Sequence, residues 1–265
     1  MSYRKILWLI GLLMMVLVLA ACSTSEPATE TAEHEEEHAI HWDYEGEGGP
    51  EHWRKLEDGA YELCGIGVEQ SPIDLTSPTM TDLENIAFDY GKMDVHILNN
   101  GHTIQVNHDE GSSIEINGRT YNLLQFHFHA PSEHAVNGTL YSAEMHLVHT
   151  DADGNLAVVG VFIAEGAENA AYTPVWDNLP SEKTEAIATG MSVNAVDLLP
   201  AEQVVYRYNG SLTTPPCSEG VLWSVMESPV EMSAQQITAF TDIFEGTNRP
   251  VQPLNDRDLQ LDETP

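Results

Sequence analysis

"LLQFHFHAPSEH", residues 123–134, places two histidines one residue apart in an otherwise apolar run. In an extended strand, side chains two apart share a face. Gln125, His127 and His129 then point one way, while Leu124, Phe126 and Phe128 point the other, toward a core. Two same-face imidazoles can converge on one ion. The later segment "LYSAEMHLVH" (140–149) sets Glu144, His146 and Val148 on one face by the same parity. The turn signal "VNGT" at 136–139 suggests that the two strands pair, which brings His146 toward the first two histidines. Spacing alone does not choose the third ligand, because His134, His149, His108 and His102 compete with His146. His149 has the opposite parity to His146, so a regular strand cannot aim both at one ion. Three neutral histidines with an open fourth position describe a catalytic zinc site, and thiols are too few for a closed cysteine-rich one. Gln125 stands two residues before His127, and Glu144 two before His146. Each can accept the second N–H of its histidine, the usual outer partner of a zinc-bound imidazole.

Working outward, strand-like segments recur at short spacing: "VHIL" (95–98), "TIQVN" (103–107), "SIEIN" (113–117), "LAVVGVFIA" (156–164), "VVYRY" (204–208) and "VLWSVM" (221–226). Turn signals separate them, among them Asn117-Gly118, Asn137-Gly138, "DADGN" at 151–155 and Asn209-Gly210. Short turns between most strands predict a largely antiparallel sheet. Helical pattern is sparse. The best helix starts after Ser233, with Gln236 completing a capping box and Ile237, Phe240 and Phe244 at helical spacing. From Ile40 onward the pattern is that of one mainly β domain without internal repeats, ending near residue 262.

The chain has 265 residues and a formal net charge of -32, from 10 basic and 42 acidic side chains. Such a surface repels nucleic acid and anionic membrane. Arg4 and Lys5 precede an apolar run, Ile6 to Ala20, of signal-peptide length and too short for a comfortable span. "LVLAAC" then resembles a bacterial lipobox, with a signal peptide over 1–21 and Cys22 as the lipidated mature terminus. Loss of Arg4 and Lys5 leaves a charge of about -34. The mature protein is expected outside the cytoplasm, periplasmic or at the cell surface, anchored through Cys22. Residues 22–39 are acidic and nearly free of large apolar groups, which suits a flexible tether. "HEEEH" at 34–38 reads as a solvated charge run. Cys64 and Cys217 remain, and an oxidising compartment favours their pairing.

Several separated blocks together resemble the alpha-class carbonic anhydrases in their bacterial exported form. They are "HWDYEGEGGPEHW" (41–53), "CGIGVEQSPIDL" (64–75), "ILNNGHTIQV" (97–106), "QFHFHAPSEH" (125–134), "AEMHLVH" (143–149), "YNGSLTTPPCSEGVLW" (208–223) and "RPVQPLNDR" (249–257). The resemblance implies a single domain over 40–262 with a large, twisted, mostly antiparallel central sheet and short peripheral helices. It implies zinc held by His127, His129 and His146, with Gln125 and Glu144 behind them. Thr213 would match the gatekeeper threonine, accepting a hydrogen bond from zinc hydroxide and donating one to Glu133. Thr214 would help place bicarbonate, and His102 would match the proton shuttle. Tyr44, Asn100 and Gln105 would line a polar wall, and Val148, Val158, Leu212 and Trp223 the apolar wall that holds carbon dioxide. The implied reaction is reversible hydration of carbon dioxide to bicarbonate and a proton by zinc-hydroxide attack. Non-catalytic relatives typically lack a zinc ligand, and here none of the three is missing. Some bacterial relatives are dimers, which leaves a homodimer as an open partner state. Ala130-Pro131 and Gln105 depart from some members of the family; the change at Gln105 could alter the water network.

Overall fold

The computed structural model describes residues 41–108 and 110–263. The expected signal peptide, the Cys22 lipid site and the acidic tether lie outside the described residues. The described residues belong to one compact unit, Ala39–Pro265. Eight long strands carry it: β1 (Lys92–Asn99), β2 (Ile104–Asn107), β3 (Arg119–His129), β4 (Ala143–Thr150), β5 (Leu156–Glu165), β6 (Ile187–Asn194), β7 (Val205–Ser211) and β8 (Glu219–Met232). Short strands Thr79–Met80, Ala87–Asp89, Ser113–Ile116 and Gln260–Asp262 complete a twelve-stranded sheet. The long strands lie in the order β6-β1-β2-β3-β4-β5-β8-β7. Every neighbouring pair in that run is antiparallel except β5 with β8. The fold is therefore mainly β with a dominantly antiparallel sheet, as the short turns require.

The central strands are covered on both faces, which explains the near-continuous apolar run in β5. One core gathers Phe126, Phe128, Met145, Leu147, Val159 and Val161. The opposite one gathers Val148, Val158, Phe162, Tyr208, Trp223 and Val225. Helix α1 (Ala234–Thr241) begins as its capping box predicts: Gln236 N–H donates to Ser233 Oγ at 3.2 Å, and Ser233 N–H to Gln236 Oε1 at 3.1 Å. The helix lays Phe240 on the first core.

Two expectations need correction. Leu124 was placed in the core, but it is 43 % exposed. The register between β4 and β3 slips between Val148 and His149, pairing Val148 with Gln125 and His149 with Leu123. Leu124 is the extra residue of that bulge and turns outward, so the alternation restarts across it. "VNGT" does close a hairpin, but a small one: Ala135–Val136 pairs with Thr139–Leu140 in a separate three-stranded sheet. Beyond it, β3 and β4 pair directly. Cys64 and Cys217 form a disulfide that joins residues 153 apart in sequence.

Candidate metal centre

Two adjacent rows of the sheet build the site. In one, Gln105, His127, His146, Gly160 and Val225 stand side by side on β2, β3, β4, β5 and β8. In the next, Gln125, Val148, Val158, Trp223 and Tyr208 do the same on β3, β4, β5, β8 and β7. His127 thus faces His146 directly across a strand pair, and strand parity adds His129 from the same face. Ring nitrogens of these three histidines lie within 4.8 Å of one another. Sheet register selects His146 for this group, where spacing along the chain could not.

Each imidazole spends its other nitrogen on the protein. His127 Nδ1 is 2.8 Å from Gln125 Oε1. His129 Nδ1 meets the Thr247 carbonyl oxygen. His146 Nε2 is 3.0 Å from Glu144 Oε1, a close contact bent away from the ideal hydrogen-bond line. The nitrogens left over point inward, and His129 Nε2 is buried with no hydrogen-bond partner. Burial pushes the His127 and His129 proton affinities down and neighbouring imidazoles add to it, while at His129 the Glu133 carboxylate opposes without overcoming burial. Rings held neutral offer lone pairs, the form that ligates a metal. Three neutral nitrogens with outer partners fixed fit zinc.

Glu133 closes the floor. Its Oε1 accepts the Arg249 N–H at 2.8 Å. Its Oε2 is buried without a hydrogen-bond partner, 3.6 Å from His129 Nε2 and 3.9 Å from His146 Nδ1. The bond expected from the Thr213 hydroxyl to Glu133 is therefore not made here; the free oxygen leans toward the imidazoles instead. A cation among those nitrogens would satisfy His129 Nε2. Thr213 itself is buried, on a loop after β7 where Leu212 N–H donates to the Ser218 carbonyl and Cys217 N–H to that of Thr214. Burial works to raise the Glu144 proton affinity, but the His134 and His146 rings outweigh it and hold the carboxyl well below its ordinary range.

A cleft of about 130 Å³ opens over the imidazoles, lined among others by Tyr44, Asn100, His102, Gln105 and Thr214. Asn100 Oδ1 accepts from the N–H groups of His102 and Thr103, both at 2.9 Å, which fixes the turn that presents His102. The His102 ring stacks on Trp42 at 3.7 Å, and its Nε2 lies 3.3 Å from His41 Nε2. Burial, His41 and Lys183 lower its proton affinity, with Asp43 opposing. Val148, Val158 and Trp223 are buried together in the second core, and Leu212 packs partly buried against them. A larger cleft of about 530 Å³, among Arg207, Asn209 and Arg257, includes none of the imidazoles. Thr247 and Tyr208 are site residues that the sequence does not point to, and His134, a competitor for the third ligand by spacing, instead donates toward Glu144. A main-chain carbonyl such as that of Thr247 has no signature in sequence.

A mainly β fold whose central strands bring three buried imidazoles together, a group able to hold a metal ion, defines the class. Residues 48–262 match the model of the eukaryotic-type carbonic anhydrase family. A carbonic anhydrase from a Nostoc species is 41 % identical over 260 residues, covering 96 % of this chain and 95 % of that protein. One from Klebsiella pneumoniae is 45 % identical over 83 % of this chain and 90 % of its own length. Among solved structures, a hyperthermostable carbonic anhydrase from an active hydrothermal vent chimney is 50 % identical, with a TM-score of 0.80 over 83 % of this chain and 99 % of its own. The alpha-carbonic anhydrase of Thermovibrio ammonificans, solved with sulfanilamide, is 44 % identical with a TM-score of 0.81 over 83 % of this chain and 98 % of its own. The chain belongs to the alpha-class carbonic anhydrase family and is an enzyme of it, with carbon dioxide and bicarbonate as the implied substrates. No helix among the described residues is long and apolar enough to cross a membrane.

Proposed function

We propose that the chain catalyses the reversible hydration of carbon dioxide with zinc held by His127, His129 and His146. The observation that carries this is the convergence of three ring nitrogens whose opposite nitrogens face Gln125 Oε1, the Thr247 carbonyl and, at 3.0 Å, Glu144 Oε1. Zinc bound there would supply a water acidic enough to serve as hydroxide near neutral pH, an effect for which carbonic anhydrase is the standard instance. The chain's own residues do the rest. Glu133, its Oε1 fixed by Arg249, accepts a hydrogen bond from the Thr213 hydroxyl once that hydroxyl turns toward it, leaving the Thr213 oxygen free to accept one from the attacking oxygen. Val148, Val158, Leu212 and Trp223 offer carbon dioxide a wall without hydrogen bonds, and Thr214 holds the product. Asn100, Gln105 and Tyr44 order water between the imidazoles and His102. His102, its proton affinity lowered, takes the released proton and passes it to solvent.

Residues 40–262 form the catalytic domain in this reading. Residues 1–21 direct export, Cys22 carries the lipid, and 22–39 tether the enzyme outside the cytoplasm. The decisive measurement is metal content together with carbon dioxide hydration, with and without a chelator, on a soluble form lacking residues 1–22. One zinc per chain and activity lost on chelation are expected. Activity that survives both zinc removal and His146→Ala refutes the reading. Anchoring predicts membrane association that disappears in Cys22→Ser.

A further inference from the structure

His134 takes no part in the scheme above, yet it is fully buried against the ligand group. Its Nδ1 lies 2.7 Å from Glu144 Oε1, and its Nε2 lies 2.7 Å from the Tyr208 hydroxyl. That hydroxyl is 2.8 Å from Ser71 Oγ, which accepts the Ser211 N–H at 3.0 Å. Ser71 N–H returns to Ser211 Oγ at 2.9 Å. Ser211 ends β7, two residues before Thr213. A continuous buried path therefore runs from His146 through Glu144, His134, Tyr208 and Ser71 to the strand that delivers Thr213.

The donors along this path are fixed by chemistry. An ionised carboxylate only accepts, so His134 Nδ1 donates to Glu144. In the tautomer with its proton on Nδ1, the ring accepts a hydrogen bond from the Tyr208 hydroxyl at Nε2, and the Tyr208 oxygen accepts one from Ser71. The second Glu144 oxygen accepts the N–H groups of Glu133 and His134, both at 2.9 Å. With both oxygens engaged, Glu144 is held against His146 and cannot swing round to become a ligand itself. The grouping of His134, Glu144 and His146 thus reads as a hydrogen-bonded support rather than a second metal site.

Two glycines give independent support. A Cβ at Gly160 would meet Glu144 Oε1 at 2.9 Å. One at Gly210 would meet Ser71 Oγ at 2.2 Å and Tyr208 Cε2 at 2.8 Å. Neither glycine has positive φ, so what each supplies is space. Both positions leave room for a link of this path.

We propose that His134, held by Tyr208, is a positioning residue of the metal centre, fixing the Glu144 carboxylate on His146 and tying that imidazole to the Thr213 strand. The inference rests on the zinc reading and deepens it. It is tested in the full chain by zinc release to a competing chelator and by the visible absorption of the cobalt-substituted protein. His134→Leu is expected to release zinc about tenfold faster, in the range seen for outer partners of metal ligands, and to change the cobalt band. His134→Asn, which keeps an N–H near the Nδ1 position, should restore most of both. Tyr208→Phe removes one oxygen and should fall between. A folded His134→Leu protein with unchanged zinc release and cobalt spectrum overturns the proposal. Equal loss in the Asn and Leu variants also overturns it, because donation to Glu144 would then be irrelevant. Should His134→Leu fail to fold, unchanged release from Tyr208→Phe overturns it. A wild-type chain that takes up neither metal refutes the zinc reading itself. A wild type that binds both while the variants match it refutes only the positioning role.

Discussion

His146 and His149 sit three residues apart on the same strand, and both are buried. One belongs to the group of converging imidazoles; the other does not. His149 has Nε2 2.7 Å from the Tyr90 hydroxyl and Nδ1 3.3 Å from the Ala157 carbonyl, so both nitrogens are spoken for. His146 gives one nitrogen to Glu144 and turns the other toward His127 and His129. A buried histidine's role is thus legible from how many of its nitrogens the protein has already used.

The comparison can be broken most directly at His146. His146→Ala should reduce hydration to the uncatalysed background and zinc content to near zero, while His149→Phe keeps one zinc per chain; metal analysis beside a stopped-flow assay decides. Next in size, Glu144→Gln should weaken zinc binding by about 10- to 100-fold through loss of the anionic partner, read by competition with a chelator. Thirdly, His149→Phe should cost stability rather than chemistry. It strands the Tyr90 hydroxyl and the Ala157 carbonyl, a loss of about 1–3 kcal/mol in urea unfolding with turnover per folded molecule unchanged. The last effect concerns pH. Burial depresses the folded His149 pKa to about 3, against about 6.5 for an ordinary histidine. Between those values the unfolded chain binds a proton that the folded chain refuses, so stability should fall as pH drops through that window. Urea midpoints between pH 7 and pH 4 should decline less steeply in His149→Phe than in the parent; identical slopes would show that His149 is not the group responsible.

Much of this site was written in local pattern. Alternation along β3 announced His127 and His129 as same-face neighbours, and the same rule placed Gln125 and Glu144 beside the rings they support. What alternation cannot express is which strand lies beside which. Parity alone leaves His146 among several competitors; the family blocks point to it, and the β3–β4 register sets it opposite His127. The bulge that expels Leu124 was equally invisible, since one inserted residue leaves no compositional mark. Strand β6 escaped notice for another reason: "IATGMSVN" has a glycine with positive φ and sits at the edge of the sheet, where little apolar surface has to be covered. By spacing His134 is only one of several competitors for the third ligand, yet one of its partners, Tyr208, is 74 positions away. Long-range polar pairing of that kind becomes readable only when the sheet is assembled.

That sheet has a consequence for how the enzyme is made. Thr79–Met80 is stitched to Gln260–Asp262, and the outer nitrogen of His129 is anchored by a carbonyl 118 residues downstream. A nascent chain that has delivered every ligand imidazole still lacks the Thr213 strand, the Thr247 anchor and the closing edge. No fragment that stops short of these segments can therefore finish the imidazole cleft, which closes only once the chain through Asp262 is in place.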